Sequence, residues 1–468
     1  MAAAASIAFG GACLWVGAPS AHAETLAETL AATYEYNPRL DAERARLRAI
    51  DEDIAIARSG FRPKIDASAD TNMVDTKTRP PSLNDGTIHP KGYRIEAVQP
   101  IFSGLRVLNA VSEAEANALG GTQQLRGVEQ EVLQDAVFAY MDVIRDQQIV
   151  KLRENNVDVL SKDLKATQER FAVGEVTKTD VAQAQARRAN AVSELDQARA
   201  NLKTSRGNFE RTVGHPPSGL SEPVGYEARL PASLEEAISI SALEHPSVVD
   251  ALYNEQAARY NIDRIRGELL PTVQLEASYQ DRHDVSRFTD EQEQTTVTGR
   301  VSVPIYEGGE VYARVRQAKQ NHLGRIQDIE QQRTVVQAAV VAAWAQVEAS
   351  RARLVSDQVQ VDANKTALAG VREEERVGQR SLIDVLNAEL ELLISQVTYV
   401  STRRDVVVAS YALLARIGRL DMANLGVAPL VYDPAVHRDE VRHKFIGTRI
   451  TEDGADLWNT QAQPEPVK

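Results

Sequence analysis

The sequence predicts a mainly α-helical protein of two structural repeats. Each repeat pairs a very long antiparallel coiled coil with two amphipathic strands suited to a membrane β-barrel. Three observations predict this. Prolines recur in register: Pro38 matches Pro246, Pro63 matches Pro271, and QPIFSG at 99–104 matches VPIYEG at 303–308. No proline interrupts the chain between Pro100 and Pro216, or between Pro304 and Pro429. The segments ahead of the two motifs alternate polar and apolar residues with the period of a strand.

The chain opens MAAAASIAFGGACLWVGAPSAHAE, an apolar stretch closed by the small-x-small pattern Ala21-His22-Ala23. Residues 1–23 are therefore expected to be a signal peptide, although no Lys or Arg precedes Arg39. Cys13, the single cysteine, would leave with it, so the mature chain has no disulfide or thiolate metal site. Residues 25–36 read as a short helix stopped before Asn37-Pro38, and 39–60 as a second, charged helix. After Arg62-Pro63, Ile65, Ala67, Ala69 and Thr71 alternate with Asp66, Ser68, Asp70 and Asn72. Residues 78–87 are a loop by composition. Tyr93, Ile95 and Ala97 then alternate with Arg94 and Glu96, closing a hairpin at about 62–102. The second hairpin, about 270–306, repeats the pattern with Val273, Leu275, Ala277 and Tyr279, then Val297, Gly299, Val301 and Val303.

A helix follows each hairpin, at 105–172 and 309–376. At 1.5 Å per residue each is on the order of 100 Å long, and such length signals coiled coil. Each stops at a Val-Gly pair, Val173-Gly174 and Val377-Gly378, where glycine accepts the left-handed backbone of a helix end. Return helices are expected at 177–213 and 381–417, capped by Thr177 or Thr179 and by Ser381. Gly174 and Gly378 are thus hairpin tips. The repeats run 24–230 and 231–428. A polar tail fills 429–468 and is expected to lack order beyond about Asp456.

A net charge of −13 argues against nucleic acid, whose phosphates call for Lys and Arg. Aromatics at 5% and a mean hydropathy of −0.33 are poor material for one large dry core. No later stretch reads as a transmembrane helix, so any membrane insertion must use strands. Four strands per chain cannot close a barrel. Three copies would supply twelve strands with ring symmetry, together with long helices that pack side by side. The polar strand residues Arg94, Glu96, Glu276 and Arg300 would then face the lumen. Tyr93, Phe102, Tyr279 and Tyr306 would mark the membrane interfaces.

From about 25 to 430 the residues resemble the TolC-type outer membrane efflux and secretion proteins. The paired hairpins, QPIFSG with VPIYEG, and RFAVGEVTKTDV with RVGQRSLIDV carry the resemblance. It implies a homotrimer with a twelve-stranded barrel in outer membrane lipid and a helical tunnel through the periplasm. It also implies a tip opened by a periplasmic adaptor and an inner-membrane ABC or proton-driven transporter, and a passive exit duct for type I protein secretion or small-molecule efflux. On it Asp384 matches the acid that rings the constriction, and Asn387 stands where relatives often carry a second Asp one turn later. Arg380 matches the arginine that links the hairpins, with Asp180 and Thr179 as its acidic and hydroxyl partners. Glu375 stands where a tyrosine can take part. Asp180 also suits a plain capping acid.

No enzyme, metal or cofactor chemistry is expected. The eight histidines are scattered without metal-ligand spacing, and His437 and His443 fall in the polar tail. The glycine pairs at 120–121 and 308–309 lack the strand-to-helix setting of a phosphate loop. Two non-channel readings compete: a structural periplasmic coiled coil, and an adaptor. An adaptor would flank a single helical hairpin with lipoyl-like and β-barrel domains, and the sequence offers none. The four alternating strands favour the duct over both.

Overall fold

The computed structural model describes residues 23–224, 229–426 and 431–450; the expected signal peptide and the tail beyond residue 450 lie outside them. Each predicted element forms close to its expected bounds. Helix α1, Leu26–Tyr36, starts with a Thr25–Glu28 capping box and ends at Asn37. Asn37 then caps α2, Pro38–Ser59, whose first-turn proline needs no N–H partner. Strands β1 (Lys64–Thr71), β2 (Val74–Thr76), β3 (Gly86–Ile88) and β4 (Lys91–Ser103) follow. Helices α3, Arg106–Ala172, and α4, Lys178–Val213, make the first long hairpin. The second repeat supplies α5 (Leu234–Glu244), α6 (Pro246–Arg266), β5 (Thr272–Ser286) and β6 (Thr289–Ser302). Helices α7, Glu310–Arg376, and α8, Leu382–Arg416, complete its long hairpin.

Two expectations change. The loop expected at 78–87 is flanked by β2 and β3, which pair with each other, so the first strand pair carries a small extra hairpin. The tail is not merely polar surface. After the short α9, Met422–Leu425, helix α10, Pro434–His443, packs on α2. His437 lies 3.3 Å from the buried Asp51, with its side chain only 12% exposed, and Arg442 pairs with Glu115 of α3. Asp433-Pro434 is a proper helix start, but ten mostly polar residues fix no helix by themselves.

The core sits between barrel strands and tips, where the short helices wrap the upper halves of α3, α4, α7 and α8. Leu30, Tyr140, Phe209, Leu413, Ile417 and Met422 are almost fully buried there. The Tyr140 hydroxyl lies 2.6 Å from the Ser221 carbonyl oxygen, so the ring's polar end is satisfied. Below the core the hairpins are two helices thick and largely wet. Leu323, Val335, Val341, Val355 and Val359 stand exposed along α7. Among the described residues no helix is long and apolar enough to cross a membrane.

Candidate barrel wall and tunnel gate

The four long strands form one antiparallel sheet in the order β1-β4-β5-β6. Its register decides which side chains share a face, because facing residues in a ladder point the same way. Ile65, Ala97, Ala277 and Val297 form one row across all four strands. Ala67, Ile95, Tyr279 and Thr295 form the next. The opposite face carries Asp66, Glu96, Ser278 and Thr296, then Ser68, Arg94, Gln280 and Gln294. A bulge between Pro100 and Phe102 shifts the phase, so Phe102 joins Val273 and Val301 on the apolar face.

Arg94, Glu96, Glu276 and Arg300 all lie on the polar face. Arg94 pairs with Glu96 at 3.0 Å, Arg300 with Glu276 at 2.9 Å, and Arg282 bridges from β5 to Asp70 of β1 at 3.2 Å. The apolar face is bare: Ile65, Ile95 and Val297 are 69%, 45% and 67% exposed. From the Phe102 row to the Tyr93 row is eight residues, about 27 Å along a strand and about 21 Å along the membrane normal at a tilt of ~40°. That matches a lipid band of roughly 25 Å. Tyr93 and Tyr279, ring centres 6.0 Å apart, close the far end of this band. From the Tyr93 row onward the same face turns polar, with Asp281 opposite Tyr93, and ligand atoms of Asp281, His283 and Glu291 come within 4.8 Å of one another.

The two tips are built alike. At the first, Gly174 (φ 81°) donates to the Phe171 carbonyl and Glu175 to that of Arg170, at 3.0 and 2.9 Å. At the second, Gly378 (φ 76°) donates to Glu375 and Gln379 to Glu374, at 2.9 and 2.8 Å. Both are Schellman closures, which need a left-handed residue where each glycine sits. Asp180 caps its own helix: its carboxylate accepts from the Thr177 amide and hydroxyl, both at 2.8 Å. Thr177 is therefore the cap, and Thr179 is exposed one step inside. Asp384 does the same for α8, accepting from the Ser381 hydroxyl at 2.7 Å and its amide at 3.1 Å. Thr177 holds Asp180, and Ser381 holds Asp384, below the usual carboxylate range.

Contacts between the hairpins come mostly from residues that the sequence did not single out. Arg380 donates to Glu374 at 2.9 Å, inside its own hairpin. Of the predicted gate links, Glu375 crosses over, taking Arg170 of α3 at 2.7 Å. Asn387 accepts from Arg187 of α4 at 2.9 Å. Higher up, Glu389 of α8 pairs with Arg372 of α7 and meets Asp163 of α3. Burial pushes both of these carboxyls up. A signal for this set existed. In the repeat alignment Arg372 falls on Gln168, Glu389 on Gln185, and Asp163 on Ala367. Charge present in one repeat and absent from the other marks contacts that the internal symmetry does not require.

Comparison with known proteins agrees with this architecture. The family described as outer membrane efflux protein matches twice, at residues 30–215 and 237–419, one match per repeat. The outer membrane efflux protein BepC of Brucella suis is 37% identical over 93% of this chain and 94% of its own. The alkaline protease secretion protein AprF of Pseudomonas aeruginosa is 25% identical, with 84% of each chain covered. The solved CmeC outer membrane channel of Campylobacter jejuni superposes with a TM-score of 0.73 at 14% identity, over 89% of both chains. With both family matches falling on the two hairpin repeats, the chain belongs to the outer membrane efflux protein family and is a channel-tunnel of the Gram-negative outer membrane.

Proposed function

We propose that three copies of the chain form a passive exit duct, with a twelve-stranded barrel and a tunnel gated at the Gly174 and Gly378 tips. One observation carries the reading. The sheet has an unpaired edge at β1 and another at β6, one bare apolar face and one ion-paired face. Open edges are not tolerated in lipid, so neighbouring copies must pair them. The exposed valines of α7 supply a lateral surface for the same neighbours. Arg94, Glu96, Glu276 and Arg300 line the lumen, and neighbouring Arg–Glu pairs leave that wall polar without a strong single sign. Asp384, brought near the axis by α8, makes the constriction, with Asn387 one turn above it. In a ring, Asp384 carboxylates repel one another, which opposes the lowering by Ser381. Arg170–Glu375 and Arg187–Asn387 tie the hairpins together at rest.

A periplasmic adaptor and an inner-membrane transporter open the tip, and cargo then moves by conduction. One relative is named for efflux and another for protease secretion, so both cargo classes fit the duct. Planar-bilayer recordings on the purified protein test this. A low resting conductance that rises severalfold in Arg170→Ser is expected. Recovery of the native protein as a detergent-free soluble monomer would overturn the reading.

A further inference from the structure

About two helical turns above the tips, three helices bring three charged side chains together. Asp163 comes from α3, Arg372 from α7 and Glu389 from α8. Glu389 is nearly sealed, with a side chain 5% exposed, and one of its oxygens faces Arg372. Its other oxygen, Oε2, is buried without a hydrogen-bond donor, and so is Oδ2 of Asp163. The two carboxyl groups meet each other. Two ionised carboxylates have only acceptors, so such a contact leaves both oxygens unsatisfied and adds like-charge repulsion. A single proton between them satisfies both oxygens at once, while Arg372 balances the one remaining charge.

We propose that Asp163 and Glu389 share one proton, and that this proton clasps the second hairpin to the first and makes tunnel opening pH-dependent. The inference rests on the gated-duct reading above and adds its regulation. Few other groups on the packed helices compete. On α7, Glu375 is held by Arg170 of α3. On α4, Arg187 and Arg188 are engaged by Asn387 and by Ser161. The sign follows from burial, which raises both carboxyls in the clasped state. The clasped state therefore holds more protons than a released state in which water reaches both groups. The clasp is complete in acid and weakens as pH rises above the ordinary carboxylate range.

Each pKa unit separating clasped from released states shifts the opening equilibrium by about tenfold. Open probability of the wild-type trimer in planar bilayers is therefore expected to rise between pH 5 and pH 8, while the closed state holds the extra proton at pH 5. Asp163→Asn supplies a permanent N–H donor to Glu389. It should keep the channel as closed at pH 8 as the wild type is at pH 5. Glu389→Gln, a second near-isosteric change, should also flatten the pH response. Asp384→Asn separates the clasp from the constriction: it should lower cation selectivity yet keep the pH dependence of opening. Wild-type opening independent of pH, or an unchanged pH response in both clasp variants, overturns the shared proton while leaving the duct standing. A wild-type protein with no channel current overturns the duct reading and the clasp with it.

Discussion

Gly174 and Gly378 hold positive φ at the ends of the two longest helices, and a Cβ added to either would meet nothing within 4 Å. Any penalty for alanine there is thus backbone strain alone, about 1–2 kcal/mol. Gly378→Ala should speed hydrogen exchange of the tip amides and leave the barrel unchanged; unaltered tip protection would refute the Schellman account. A few residues on, Asp384 caps α8 and, in the proposed duct, lends charge to the constriction. Asp384→Asn keeps an acceptor for Ser381 and removes the charge. The expected result is a reversal potential nearer zero in a salt gradient, with the helix retained by circular dichroism. Because the carboxylate must be ionised, wild-type selectivity should likewise fall as pH drops through its pKa. Turns of this kind are legible in sequence, since Gly, Thr, Ser and Asp act on neighbours within a few positions. The links Arg170–Glu375 and Asp163–Glu389 were not: the repeat alignment can mark an unmatched charge, but each of these joins the two hairpins at distant positions through a shape that only the fold supplies.

At the scale of elements, period-2 alternation located β1, β4, β5 and β6 and named their faces. The register then runs without a slip from Tyr93 to Pro100, and the bulge before Phe102 returns that residue to the apolar face. The neighbouring residues Val297 and Thr298 therefore have opposite fates. Val297→Arg places a charge toward lipid near mid-band and should cost about 2–4 kcal/mol. Thr298→Arg adds a charge to the wet face and should assemble normally. Heat-modifiable trimer on a semi-native gel reads the difference; equal yields of both variants would contradict the face assignment. The helical elements were as legible as the strands, because few residues but Pro and Gly can end a long alanine-rich helix. Helix α10 was not, since its docking depends on α2 and on the buried Asp51. Similarly hidden was Glu129 of α3, which accepts from the Met422 amide at 2.9 Å and anchors α9. Burial pushes this carboxyl up to about 7. Between its ordinary value and 7 the folded state binds the extra proton, so its contribution to stability falls as pH rises. Glu129→Gln should remove about 3 kcal/mol of that pH dependence, read as a thermal midpoint that no longer drops between pH 5 and pH 8. A wild-type midpoint flat over that range would reject the buried proton.

For the whole molecule, the decisive question is how edge β1 of one copy meets edge β6 of the next. The four-stranded sheet runs up, down, up and down, so β6 of one copy and β1 of its neighbour are antiparallel in a closed ring. Closure also fixes parity. The apolar face of both edge strands is made by odd-numbered positions, Ile65, Ala67 and Ala69 on β1 and Val297 and Val301 on β6, with Thr295 in the same set. If the apolar face is continuous around the barrel, odd must oppose odd. With the only cysteine in the expected leader, paired cysteine substitutions are clean reporters. Ala67→Cys should cross-link to cysteine at one of Thr295, Val297 or Gly299 and yield covalently linked trimers. It should not link to cysteine at Thr296, Thr298 or Arg300, which lie on the other face. Cross-linking at even positions would mean that the sheet slips by one residue between copies, turning Asp66 and Glu96 toward lipid, where an ionised carboxylate is too costly to stay. Parity thus ties the polar lumen to the lipid band, while the strand count follows from four strands per chain. Two copies would give the eight strands of the narrowest membrane barrels, and three give twelve. A linked species of three chains, rather than two, is the expected product.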